Sequence, residues 1–175
     1  MVIAPEDASR FIKHYQDFLI SIADPKESQG RSHLQILATA RNRYAANRDL
    51  FSSWRAKNLQ RDSDILDAIA CLEIGRWIYL KDTRSYSVFL REDCEAAYAV
   101  HGLTDRLRNI TGYSGIVVTC GVFQLNDQYV CDGLLANDAT LGSNYLADFR
   151  ETYQSLRKSG NFYAKPSEAL GKATD

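Results

Sequence analysis

The chain is short of almost everything that marks a specialised protein. Its three histidines, His14, His33 and His101, are not paired at metal-ligand spacing on any one element, so a zinc site of the HExxH type is excluded. No GxGxxG, GxxxxGK[ST] or GxSxG occurs, which removes the usual signatures of dinucleotide binding, nucleotide hydrolysis and serine hydrolase chemistry. Cys71, Cys94, Cys120 and Cys131 show no CxxC spacing, and buried free thiols in a reducing cytosol are the simplest reading of them. No apolar run nears the ~20 residues that span a bilayer, and MVIAPEDASR has no basic-then-apolar secretory pattern. Neither sign of charge dominates: the net charge is -1, with no global pull toward polyanions or anionic lipid. These absences lead us to expect a cytoplasmic protein with no cofactor, no resident metal and no membrane partner.

What is present is ordinary globular material. Apolar residues make up 45% of the 175 and charged ones 25%, enough for one domain with a core of its own. Phe11, Tyr15, Phe18, Leu19 and Ile22 recur at helical spacing and predict a helix from Asp7, as its N-cap, to Ala23, stopped by Asp24-Pro25. Ser32 then caps an expected long helix reaching Asn58, with Leu37, Tyr44 and Phe51 seven apart. A short third helix, Asp64 to Leu72, follows.

From Gly75 the period changes to two. GRWIYLKD and SYSVFLRE read as strands around a turn at Thr83-Arg84, setting Trp77 opposite Leu90 and Tyr79 opposite Val88. The segment 94–102 is open to helix or strand, and its alternation favours strand, with Thr104 capping a short helix after it. IVVTCGVFQLNDQYVCDGLLA, residues 116–136, reads as a hairpin turning at Asn126-Asp127. Asn137 to Thr140 is expected as loop. A last helix from Gly142 or Ser143 to Ser159, with Tyr145, Leu146, Phe149, Tyr153 and Leu156 on its apolar side, ends at Gly160.

YAVHGLT, followed by the VVTCGVFQLNDQYVCDGLL hairpin, resembles a pattern in uncharacterised bacterial proteins: an aromatic-x-Val-x-Gly-Leu-Thr strand end, then a hairpin closing on Asp-Gly-Leu. The resemblance covers roughly the last half of the chain. It implies a strand at 94–102 and carries no activity across.

Helices first and strands after predict an α+β fold. We expect N-terminal helices and a C-terminal helix packed on an antiparallel sheet of four or five strands. One domain would cover 1–163, with a helical layer at about 7–72, sheet and last helix at about 75–159, and a flexible tail at 164–175.

Two features could carry function. Between Arg31 and Arg61 lie seven basic residues and one acid, Asp49. Arg41, Arg43, Arg48, Arg55 and Lys57 could present a basic face to nucleic acid or another polyanion. The structural alternative is that their heads pair with acids of the same fold. Asp132 is the other feature, an acid on an otherwise apolar ribbon, opposite the side-chain gap at Gly121. It could face a small substrate, with His101 pairing either with it or with Cys94, or it could be held structurally by Thr119, backbone donors or an arginine. Weighed together, the leading expectation is a small binding or regulatory module acting through protein contacts or self-association. Polyanion binding and a small-molecule enzyme are the alternatives.

Overall fold

The computed structural model describes residues 1–170, and 171–175 lie outside the described residues. The chain forms an α+β fold with a mostly antiparallel sheet. It divides into two compact units, Ala4–Ile74 and Met1–Ile3 with Gly75–Asp175.

The first unit is helical: α1 Pro5–Ile22, α2 Pro25–Ser28, α3 His33–Ala46, α4 Asp49–Ala56 and α5 Ser63–Ala70. Helix α1 starts before Asp7, because Pro5 sits in the first turn, where its missing N–H costs nothing. Ser32 and Gln35 form a reciprocal capping box on α3. The long helix expected to reach Asn58 is broken. Asn47 is extended (φ -142°, ψ 97°), and its side chain accepts the Asp49 N–H at 3.1 Å, giving the backbone a local alternative to helix. Leu37, Tyr44 and Phe51 are buried as their spacing predicts. Phe18 is the hub, with the rings of Tyr44, Phe51 and Trp54 at 5.0, 5.0 and 5.5 Å.

The second unit holds β1 Glu73–Asp82, β2 Ser87–Arg91, β3 Ala97–His101, α6 Leu107–Thr111, β4 Ile116–Leu125, β5 Gln128–Cys131, β6 Ala136–Thr140, α7 Ser143–Lys158, β7 Phe162–Tyr163 and α8 Pro166–Leu170. The sheet is larger than the four or five strands expected. Its order is β1-β2-β3-β5-β4-β6, β7 lies beside β3, and β1 also pairs with β4. Five strands therefore run round a closed ring. Two contacts, β3 with β5 and β3 with β7, are parallel.

Alternation along the strands makes two cores. Inside the ring lie Trp77, Tyr79, Phe89, Val100, Val118, Cys120, Val122, Tyr129 and Cys131, with Leu107 of α6. Outside, Ile78, Leu80, Val88, Leu90 and Ala97 are covered by Tyr153 and Leu156 of α7. Tyr145, expected on that apolar side, is instead exposed.

The β4–β5 hairpin has the expected register, Phe123 facing Val130 around Asn126-Asp127. Both turn residues have positive φ (49° and 56°), the geometry that a two-residue hairpin needs and that Asn and Asp tolerate. The β1–β2 register departs from expectation by one residue. Trp77 faces Arg91 and Tyr79 faces Phe89, because the turn lies at Arg84-Ser85, closed by Thr83 N–H to the Tyr86 carbonyl at 2.8 Å, and a bulge follows Tyr79. That slip moves Phe89 to the interior and Val88 and Leu90 to the outer face.

Residues 97–101 are strand, as the alternation favours. Helix α6 begins after Arg106, while the Thr104 hydroxyl bonds Asp105 instead of capping it. Asn137 to Thr140, expected as loop, belongs to β6, whose five residues are all exposed and carry no apolar alternation to reveal it. Within the expected tail, 164–175, Pro166–Leu170 form α8, with the Ser167 N–H and hydroxyl both donating to Asp127 at the hairpin turn, and 171–175 lie outside the described residues.

Gly102 carries a steric demand. A Cβ there would collide with the Asp105 carbonyl oxygen, while its own N–H and carbonyl bond Met1 and Ile3. Gly102→Ala should therefore cost about 1–3 kcal/mol in urea unfolding. Gly75→Ala, whose Cβ meets nothing within 4 Å, should change stability little.

Candidate functional site

Asp132 is buried, and the residue stands opposite Gly121 as the hairpin register requires. Its N–H donates to the Gly121 carbonyl at 2.9 Å, and its carboxylate accepts the Leu134 N–H at 3.1 Å. Gly133 between them has φ +79°. The side chain thus closes the turn that releases the chain from β5 and returns it to β4 as β6.

His101 ends β3, half-buried, beside Val130 in register. Its Nδ1 is buried and meets no partner among the described residues. Burial, and secondarily the charged N-terminus, holds its pKa below the ordinary histidine value, so the ring is neutral at neutral pH. Cys94 precedes β3 and His101 closes it. The four steps of strand between Ala97 and His101 alone span about 13 Å, so these two do not form a dyad. His14 of α1 is buried, with Arg61 donating to its Nδ1 at 2.9 Å and Asp62 at 3.6 Å from its Nε2.

The basic stripe turns largely inward upon its own unit. Arg41 is 1% exposed. Arg43 donates to the last-turn carbonyl of Ile22 (3.1 Å) and to Asp24 (3.2 Å) and Glu27 (3.4 Å). Arg48 lies 4.4 Å over the Tyr44 ring, and Arg55 holds Asp67 at 2.7 Å. Arg61 binds Asp17 at 2.7 Å, and Arg10 bridges Asp62 and Asp64. Lys57, the residue after α4, is exposed. The first 74 residues carry ten basic and ten acidic side chains, so the local excess is matched within the unit.

A different place, in the barrel unit, has the geometry of a binding surface. An open depression of about 580 Å3 is lined by Arg91, Cys94, Tyr98, Leu156, Asn161 and Tyr163, with Glu95 and Ala96 at its turn. The turn from β2 to β3 shapes it. Arg91 N–H donates to the Ala96 carbonyl (3.0 Å), Cys94 N–H to the Arg91 carbonyl (3.0 Å), and Cys94 adopts φ +61°, uncommon for a residue with a side chain. Arg91 is neutralised by Asp93 at 2.7 Å. Burial first and Asp93 second push the Cys94 thiol above its ordinary pKa, so it is protonated at neutral pH and a poor nucleophile.

Against this stands an aromatic group. Tyr98 packs edge-on to Tyr129 (4.9 Å) and to Trp77 (5.8 Å), and its ring lies beside that of Tyr163 at 5.7 Å and 32°. Burial, then the neighbouring Tyr98 and Tyr163, raises the Tyr129 pKa, and its phenol keeps its proton. Sequence reasoning missed this surface because its residues come from β2, β3, α7 and β7, and the β3–β7 contact has no local signature.

Compared with known proteins, the chain matches no family model, no curated protein and no solved structure. Function must be argued from the geometry alone. Among the described residues no helix is long and apolar enough to cross a membrane, and no three His, Cys, Asp or Glu side chains gather as metal ligands.

Asp132→Ala removes the acceptor of the Leu134 N–H in a buried turn. Its expected cost is about 1–3 kcal/mol or more, read as a lower urea midpoint at constant slope. Wild-type stability in this variant would remove the structural role.

Proposed function

We propose that the protein is a small binding module that acts through protein contacts in the cytosol, and that the depression beside Tyr98 and Tyr163 is its contact surface. The observation that carries the reading is the composition of that surface: two half-buried tyrosines and an arginine around an open hollow. Tyrosine and arginine are the residue types that concentrate binding energy at protein interfaces, because each brings large area with a polar handle. The hollow is open to solvent, which suits a protruding segment of a partner better than an enclosed small molecule. The four cysteines are free thiols, in keeping with a reducing compartment.

Polyanion binding has less support. Small five-stranded Greek-key barrels that bind oligonucleotides use the outer face of their second and third strands. Here Val88 and Leu90 of β2 and Ala97 of β3 lie on that face beneath α7. Arg43 and Arg55 are held by acids, Arg48 lies over a ring, and Arg41 is buried. An enzyme centred on Asp132 is likewise less supported, since its carboxylate is committed to the turn.

Two measurements test the reading. Proteins captured from cytosolic extract by the immobilised chain should be lost, together, from Tyr98→Ala and Tyr163→Ala variants of unchanged melting temperature; equal capture by both variants would remove the surface from consideration. Sedimentation at rising concentration reports whether a second copy is among the partners. On heparin at low salt the protein should elute with a neutral control. Retention that falls steeply with salt and is weakened by Arg55→Ala would favour the polyanion reading instead.

A further inference from the structure

We propose that His14 is a proton-operated latch within the helical unit: its neutral ring holds the segment between α4 and α5 against α1, and a proton taken up from solvent releases that segment.

Hydrogen-bond chemistry assigns the ring's state. A guanidinium has only N–H groups to offer and cannot accept. Arg61 lies 2.9 Å from His14 Nδ1, so that nitrogen presents its lone pair and the ring proton sits on Nε2. Nε2 faces Asp62, 3.6 Å away. Between an arginine on one nitrogen and an acid on the other, the buried ring is neutral and held in one tautomer. The next proton can only go to Nδ1. It turns an acceptor into a donor directly against the Arg61 N–H groups and sets two positive charges at hydrogen-bond distance. The Arg61–His14 contact is then lost. Histidine is the side chain that makes this change between pH 8 and 5.

The charged groups around the ring decide what moves. Arg10 and Asp17 come from α1 itself, Arg61 and Asp62 from the connecting segment, and Asp64 from α5. Arg10 holds Asp62 at 2.8 Å and Asp64 at 2.7 Å. The Arg10 guanidinium keeps the Asp62 carboxyl below the usual carboxylate range, so Asp62 stays ionised in weak acid and faces Nε2–H in both states. Asp17 is the acid of Arg61, at 2.7 Å, and stands three residues along α1 from His14, where helical side chains are neighbours. A charged His14 therefore repels Arg61 and competes with it for Asp17.

Arg61 is also what organises the segment. Its Nε donates to the Asn58 side chain at 3.0 Å, its backbone N–H to the Asn58 carbonyl at 3.1 Å, and its guanidinium lies 5.0 Å over the Trp54 ring. Displacing it loosens residues 57–61 and uncovers one face of Trp54, in a segment whose Leu59 is already exposed. The Arg10 pairs are untouched, so α5 stays in place and the change is local.

Hydrogen exchange of the full chain, followed by NMR and corrected for intrinsic pH dependence, tests the latch. The Asn58 and Arg61 amides bond the Arg55 and Asn58 carbonyls at 2.9 and 3.1 Å. Their protection should fall about tenfold between pH 7.5 and 5.5, in step with the His14 ring resonance, as loss of a hydrogen bond to a charged group predicts. His14→Gln, whose amide accepts from Arg61 and donates to Asp62 at any pH, should keep high protection at both values. Arg61→Gln should show low protection at both. His33→Gln, an exposed position at the start of α3, should respond as wild type does. Unchanged wild-type protection across this range overturns the proposal. So does an equal fall in His14→Gln, or a fall that follows the His33 or His101 resonance instead. Because the wild-type co-titration needs no substitution, a poorly folding variant leaves the test decisive.

Discussion

The barrel unit depends on one meeting of strands. Gly115, at φ +81°, donates its N–H to the carbonyl of Tyr79 at 2.8 Å where the fourth strand reaches the first. That contact turns an open row of strands into a ring, and a ring has no free first and last edge to protect. The bulge after Tyr79 belongs to the same event. By inserting a residue it bends β1, so that β1 can pair with β2 on one side and β4 on the other. Leu146 of α7 lies 3.4 Å from where a Cβ on Gly115 would sit, so the outer helix is seated against the closure. Interior and exterior cores both follow from it.

How much of this could be read from the residues varied with the range of the interaction. The Asn126-Asp127 hairpin was legible to the residue, because turn chemistry and alternation are local and agree. The β1–β2 register was not. Alternation permits two centrings of the same turn, and the choice between Thr83-Arg84 and Arg84-Ser85 rests on the Thr83–Tyr86 bond and on a bulge that ring closure demands. Strand β6 could not be seen because no face of it is buried. The break at Asn47 was hidden inside a seven-residue repeat that stays in phase across it: Leu37, Tyr44 and Phe51 are all buried although two helices carry them.

The arginines of the helical unit show how a local charge signal is answered by residues elsewhere in the chain. Seven basic residues against one acid between 31 and 61 is a genuine local excess. A linear window, however, cannot show that Asp17, Asp24, Glu27 and Asp67 stand on either side of it in the chain and come back to meet it. Each exposed pair contributes little to stability by itself. Their collective effect is on the balance of charge: the unit carries equal numbers of basic and acidic side chains, so the local excess is not a net charge of the unit.

Asp132 and Trp77 make an instructive contrast. Both are polar groups within apolar surroundings, and burial penalises both. Asp132 was conspicuous in the sequence because a carboxylate on an apolar ribbon violates its pattern. Its partners, the Gly121 carbonyl and the Leu134 N–H, turn out to lie within its own hairpin and the turn that follows. Trp77 violated nothing, since tryptophan on a strand is unremarkable, yet its N–H meets no acceptor among the described residues. A paired buried group is explained by its local turn, whereas an unpaired one is a cost that the surrounding packing must offset. Trp77 carries that cost inside the ring, where Tyr98 meets it edge-on, and only the packing of the interior core around it can offset the loss.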